Sequence, residues 1–196
     1  MNLNRRVPNG LPGGVRGRKF YYFLLLDRFN ERNINMFKFL KNKENNHEVV
    51  AIVSGKMCNI SQVEDPMFSS KMMGDGLAII SDKDEVVVCS PCSGDLKVLF
   101  PTGHAFGVKM KNGVEILVHI GVNTVESNGD GFQVLNVKQG DYIRAGQPVI
   151  KVNLKQLREK YDMPIMMIFT NTNGFDISLP QDRVVEKNEV LIDLNA

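Results

Sequence analysis

Thr102-Gly103-His104-Ala105-Phe106-Gly107-Val108-Lys109-Met110-Lys111-Asn112-Gly113-Val114-Glu115-Ile116-Leu117-Val118-His119-Ile120-Gly121 reads as two short strands around an Asn-Gly turn. That dipeptide between apolar runs is the strongest short-range hairpin signal in a sequence. Two of the chain's three histidines lie within it. A two-residue loop at Asn112-Gly113 would set His104 opposite Gly121 and Phe106 opposite His119. A four-residue loop, Met110 to Gly113, would set His104 opposite His119. Both registers place the imidazoles on one face, roughly 5–8 Å apart at Cβ. A three-residue loop would turn one of them to the other face. Two loop readings of three therefore predict a histidine pair, and the chemistry is placed there.

The whole chain has 196 residues, enough for one well-buried domain. Its charge is uneven. Residues 1–35 hold seven Lys/Arg and two Asp/Glu, a net of +5, which leaves 17 against 20, a net of −3, for the rest. An acidic body argues against nucleic acid as a partner. The early apolar run Phe20 to Leu26 is far short of the ~20 residues that span a bilayer. Charged Asp27, Arg28, Glu31 and Arg32 follow it without a small-residue cleavage site. The expected compartment is the cytoplasm. There the odd set Cys58, Cys89 and Cys92 argues against a disulfide framework.

Residues 1–19, rich in Gly, Pro, Asn and Arg, are expected to be disordered. Met36-Phe37-Lys38-Phe39-Leu40-Lys41 looks like a fresh start. Residues 1–35 are therefore read as an extension (a tag or a mis-assigned start), 36–47 as a flexible tail, and 48–196 as the domain. Phe37 and Leu40 suit at most a weak membrane-surface contact, and a solvated tail is the plainer reading. From His47 the pattern changes to short β runs: Val49–Val53, Leu77–Ile80, Glu85–Cys89, Gly94–Phe100, His104–Met110, Val114–Ile120, Phe132–Val137, Val149–Lys151, Ile165–Thr170 and Val190–Asp193. Many short strands without long intervening helices predict an all-β, antiparallel sandwich or barrel. The best helical stretch is Leu154–Tyr161, about two turns, which Pro164 helps to stop.

Paired imidazoles in an otherwise apolar strand suit a shared metal ion or a nucleophile with a supporting partner. A catalytic metal usually takes a third protein ligand, and no third histidine stands at ligand spacing. Nucleophilic catalysis asks only for a neutral ring nitrogen, a group fixing its tautomer and a donor to the transferred group. Thr102, two residues before His104, alternates onto its face and suits the tautomer-fixing role. Cys89-Ser90-Pro91-Cys92 is a CxxC flanked by strands rather than a helix N-terminus, so it reads as structural. Lys109-Met110-Lys111 resembles the lysine-presenting turn of biotin carriers, but Asn112-Gly113 already accounts for the turn. Gly74-Asp75-Gly76 and Gly129-Asp130-Gly131 read as turns that need positive φ. No Gly-Lys-Ser/Thr helix start follows either, so neither is a phosphate loop.

Three segments resemble the glucose-type enzyme IIA domain of the bacterial phosphoenolpyruvate-dependent sugar phosphotransferase system. They are Val63-Glu64-Asp65-Pro66-Met67-Phe68-Ser69-Ser70-Lys71-Met72-Met73-Gly74-Asp75-Gly76, Phe100-Pro101-Thr102-Gly103-His104-Ala105 and Glu115-Ile116-Leu117-Val118-His119-Ile120-Gly121. Asn128 to Phe132 and Gly140 to Val149 extend the likeness, which covers roughly residues 48–193. The resemblance implies an antiparallel β-sandwich with a shallow active-site depression. It implies that His119 takes a phosphoryl group from the phosphohistidine of HPr and passes it to a cysteine of the IIB domain of a sugar permease. His104 would stabilise the phosphoryl oxygens, with Thr102 orienting its ring. Asp65 would lie near the phosphate, and Met67, Phe68, Phe106, Ile120 and Val122 would form the docking rim. No cofactor or metal is required by this chemistry. Two departures stand out. Asn123 occupies a place where the family commonly has aspartate, and Cys92 lies in a turn that usually reads Ala-Pro-Val-Ser-Gly.

Two rival functions carry different expectations. A zinc-binding β-sandwich hydrolase would use His104 and His119 as candidate zinc ligands together with a third donor. A IIA-like regulatory module would bind its targets according to phosphorylation state without passing the group to IIB.

Overall fold

In the computed structural model, which describes residues 47–195, apolar alternation from Glu48 onward resolves into thirteen strands among the described residues, with only short helical turns between them. The expected all-β antiparallel sandwich is what forms. In chain order the strands are β1 (Glu48–Val50), β2 (Gly55–Asn59), β3 (Asp75–Ile80), β4 (Glu85–Cys89), β5 (Gly94–Leu99), β6 (Ala105–Met110), β7 (Glu115–Ile120), β8 (Phe132–Val134), β9 (Tyr142–Ile143), β10 (Pro148–Asn153), β11 (Ile165–Asn171), β12 (Arg183–Val185) and β13 (Val190–Asp193). An eight-stranded sheet runs β12-β2-β3-β11-β7-β6-β5-β9. A three-stranded sheet, β4-β10-β8, and the pair β1-β13 complete the frame.

The main core is built from one face of the large sheet. Phe106, Val108 and Met110 of β6 and Ile116, Val118 and Ile120 of β7 join one buried cluster with Val86 and Val88 of β4 and Ile150 and Val152 of β10. Full burial of each such side chain is worth roughly 1.5–3 kcal/mol. The opposite face of the large sheet carries a smaller cluster: Cys58, Ile60, Val63, Phe68, Ala78, Met166 and Ile168. It forms because the segment between β2 and β3 folds over that face through a 3-10 turn (Ile60–Gln62) and a single helical turn, α1 (Pro66–Ser69). Asp65 caps α1 by accepting hydrogen bonds from the Met67 and Phe68 amides at 2.9 and 3.4 Å. Pro66 follows at the first helical position, where its missing N–H costs nothing.

The β6–β7 hairpin takes the loop that the sequence reading disfavoured. Met110 N–H bonds to the Val114 carbonyl and Gly113 N–H to the Met110 carbonyl, which closes a three-residue loop, 111–113, with Gly113 at φ +91°. Ala105 consequently faces His119, and Lys109 faces Glu115. Strict alternation in this register would part the two histidines. Instead His104 lies before β6, beyond a turn in which Gly103 N–H bonds to the Phe100 carbonyl and Gly103 takes φ +73°. The chain enters β6 from the side, and the histidine pairing survives by that route.

Other expectations need adjustment. Strands β2, β9 and β12 were absent from the sequence reading, since β2 (Gly-Lys-Met-Cys-Asn) has no apolar run and β9 (Tyr-Ile) and β12 (Arg-Val-Val) are too short to show one. The helical stretch shortens to α2 (Leu154–Leu157), which the Asn153 side chain caps by accepting from Gln156 N–H at 3.1 Å. Hydrogen-bonded turns carry it on to Tyr161. Gly74, Gly129 and Gly131 do have positive φ, but Gly76 does not. Gly76 is needed for close packing, because a Cβ there would fall 2.1 Å from the Met167 carbonyl oxygen of β11. The three cysteines are free and buried, and burial raises all three thiol pKa values, that of Cys92 most strongly. The CxxC is thus a turn element, with the Ser90 hydroxyl donating to the Cys92 carbonyl at 2.7 Å. Among the described residues no helix is long and apolar enough to cross a membrane. The expectations for residues 1–46 lie outside the described residues.

Candidate active site

Side-chain alternation along β7 puts Glu115, Leu117 and His119 on the outer face of the sheet, away from the main core. The row through His119 reads Ala105, His119, Met166, Ala78, Cys58 across five adjacent strands. Small Ala105 leaves room on one flank, and His104 fills it. The two imidazole centroids are 5.3 Å apart, with the rings at 70°. A phenyl ring also packs against each imidazole. Phe68 lies 5.0 Å from His119, and Phe100 lies 4.9 Å from His104.

Each ring is fixed through Nδ1. Thr102 Oγ1 stands 2.6 Å from His104 Nδ1, and the backbone carbonyl of Gly121 stands 2.9 Å from His119 Nδ1. A carbonyl oxygen only accepts, so Nδ1 of His119 carries the proton and, in the neutral ring, the lone pair is left on Nε2. Burial and the neighbouring His104 lower the His119 pKa from 6.5 to about 4, outweighing the opposite pulls of the Gly121 carbonyl and the Asp65 carboxylate. His104 is also shifted downward, by burial. At neutral pH the site therefore holds two uncharged imidazoles, one of them with a free, oriented lone pair. That arrangement suits nucleophilic attack followed by stabilisation of a transferred anionic group.

The expected site residues divide into those brought together and those kept apart. His104, His119 and Thr102 meet. Asp65 is close enough to act on His119 electrostatically, although its carboxylate also serves as the α1 cap. Phe68 is 5% exposed and packs on His119, whereas Met67 beside it is 58% exposed. Val122 is half-buried against the smaller cluster, and Asn123 is exposed in a left-handed conformation at φ +56°. Phe106 and Ile120 must be removed from the docking rim. Both are fully buried in the main core on the opposite face. Their own positions told as much, since each is the immediate neighbour of an outer-face residue, Ala105 and His119, and successive strand residues alternate. Phe100, which the sequence reading did not single out, is 40% exposed and its ring lies tilted at 50° against that of His104. The Gly121 carbonyl was also missed; being a backbone group, it leaves no residue-type signal beyond the glycine itself. Among the described residues no group of three His, Cys, Asp or Glu is arranged to hold a metal ion.

A sequence model described as phosphoenolpyruvate-dependent sugar phosphotransferase system, EIIA 1, matches residues 47–175, which include every group of this site. The chain belongs to that enzyme IIA family. It is a phosphocarrier, and hence a phosphotransferase, of the sugar phosphotransferase system. The glucose-specific EIIA component of Bacillus cereus is 44% identical over 136 residues, covering 69% of this chain and 81% of that protein. The glucoside-specific EIICBA component of Staphylococcus carnosus is 41% identical over 148 residues, which are 75% of this chain and only 21% of that longer protein. Among solved structures, the glucose permease IIA from Mycoplasma capricolum superposes with a TM-score of 0.68 at 36% identity, covering 75% of this chain and 94% of that one.

Proposed function

We propose that His119 is the phosphoryl acceptor of this enzyme IIA domain, taking the group from phosphohistidine of HPr and passing it to a cysteine of the IIB domain of a sugar permease, in the cytoplasm. The observation that carries this reading is the His119 Nδ1–Gly121 carbonyl bond, which leaves Nε2 as the nucleophile. The Nε2 lone pair attacks phosphorus as the donor's P–N bond breaks, and that bond's electron pair returns to the imidazole of HPr. With the Thr102 hydroxyl donating to Nδ1, His104 presents Nε2–H to the phosphoryl oxygens. Transfer of this kind asks for in-line positioning and charge stabilisation more than for covalent assistance. Phe68 and Phe100 shield the labile phosphoimidazole from water. Met67, Phe68, Val122 and Asn123, with Asp65 at the α1 cap, would form the face on which both partners dock. The same histidine serves a purely regulatory module, and delivery to IIB separates the two readings.

The test is phosphoryl transfer from phosphoenolpyruvate through enzyme I and HPr. Wild type should take an acid-labile label and pass it to a purified IIB domain. His119→Ala should take none. His104→Gln should be labelled but deliver poorly. Labelling of His119→Ala at the wild-type level would overturn the assignment, and a labelled wild type that never delivers to IIB would favour the regulatory module.

A further inference from the structure

The turn after β7 supplies the carbonyl on which the proposed nucleophile depends, and a buried hydroxyl holds that turn. Gly121 and Asn123 are both left-handed, at φ +74° and +56°, so the chain reverses tightly after Ile120. Thr124 follows and is fully buried. Its hydroxyl donates to the Ile120 carbonyl at 2.5 Å, across the base of the turn. Its methyl carbon occupies the space beside Gly121: a Cβ built on that glycine would fall 2.5 Å from it and 2.6 Å from the Met163 sulfur. From the far side, the Gly121 and Val122 amides donate to the Pro164 and Asp162 carbonyls, each at 2.8 Å. The Gly121 peptide is thus held on one side by the strap preceding β11 and on the other by Thr124.

A buried threonine is the same size as valine and differs by one polar group, whose burial is costly unless it is bonded. Packing alone would be served by the apolar isostere. We propose that Thr124 is a positioning residue for phosphoryl transfer: its hydroxyl fixes the base of the turn so that the Gly121 carbonyl meets His119 Nδ1, which keeps the proton there and the lone pair on Nε2. This rests on the reading of His119 as the acceptor. Without the tether the carbonyl drifts, and a neutral imidazole released from it redistributes its proton toward Nε2, the nitrogen that must attack. Misplacements of about 1 Å far from the reacting atoms can cost up to about a hundredfold in rate.

The experiment compares wild type, Thr124→Val and Thr124→Ser by two readouts. The first is the His119 tautomer, from ring-nitrogen chemical shifts at neutral pH with no phosphoryl donor present. The second is single-turnover phosphorylation by phospho-HPr over a range of donor concentrations. Thr124→Val should gain Nε2-protonated tautomer and lose about tenfold or more in maximal rate, with half-saturation unchanged. Thr124→Ser should keep the wild-type tautomer and lie within about twofold of the wild-type rate. Wild-type shifts and rate in a folded Thr124→Val would overturn the proposal. Should Thr124→Val not fold, Thr124→Ser decides: loss of the Nδ1-protonated signal there would place the role in the methyl group and overturn it equally. The tautomer readout needs no phosphate, so a wild type labelled at another residue would sink the acceptor reading without being mistaken for failure at Thr124.

Discussion

Acidification from pH 7.5 to 5.5 should leave the proposed nucleophile, His119, almost entirely neutral. Burial against Phe68 and the presence of His104 hold its pKa at about 4, against an ordinary 6.5. At pH 5.5 an unperturbed imidazole is only about 9% neutral, whereas a ring titrating near 4 is about 97% neutral. Rapid-quench phosphorylation by excess phospho-HPr should therefore change less than about 1.5-fold over this range through His119, against about tenfold for an ordinary histidine. An NMR titration of the His119 ring in the unphosphorylated protein gives the midpoint directly and separates this effect from any titration of the donor. The same depression has a consequence for folding. Between pH 6.5 and about 4 the unfolded chain binds a proton at this position and the native chain does not, so acid favours unfolding and stability rises with pH across that window. The full window is worth up to about 3 kcal/mol. Urea unfolding of His119→Gln should lack this part of the pH slope; His104, shifted the same way, retains its own. A ring midpoint at or above 6.5, or equal slopes for wild type and variant, would refute the reasoning.

Two further outcomes follow from the geometry. Thr102→Val removes the hydroxyl 2.6 Å from His104 Nδ1 and should slow transfer about tenfold while costing only about 1 kcal/mol in urea unfolding, because one partly buried bond is lost. Asp65→Asn and Asp65→Ala separate two duties of one carboxylate. Both should lower the His119 pKa further in the NMR titration, since the attraction to the charged ring is gone, but only Asp65→Ala should also lose about 1 kcal/mol of stability with the α1 cap. Equal stabilities of the two variants would remove the cap from the account.

The histidine pair was legible in the sequence, although by a route that the structure replaces. Asn112-Gly113 announced the hairpin, but dipeptide identity does not separate a two-residue loop from the observed three-residue loop with left-handed Gly113. Parity then fails for His104, and the rings meet only because Gly103 turns the chain before β6. The burial of Phe106 and Ile120 was already implied by alternation, which sets Ile120 on the opposite face of β7 from His119 and Phe106 on the opposite face of β6 from Ala105. Strands such as β12 were hidden because tertiary pairing supports them where no apolar run does. The Gly121 carbonyl and the Thr124 tether belong to the backbone path, which becomes visible only once β7 and the strap before β11 are placed side by side.

The single sheet that separates the main core from the histidines also divides the ways in which the chain can change. Even-numbered positions of β7 (Ile116, Val118, Ile120) answer to stability, while Leu117 and His119 answer to the smaller cluster and the site. A lineage can therefore redraw the exposed surface around Met67 and Asn123 without disturbing the packing beneath. One peptide thickness of backbone keeps the two kinds of selection from colliding.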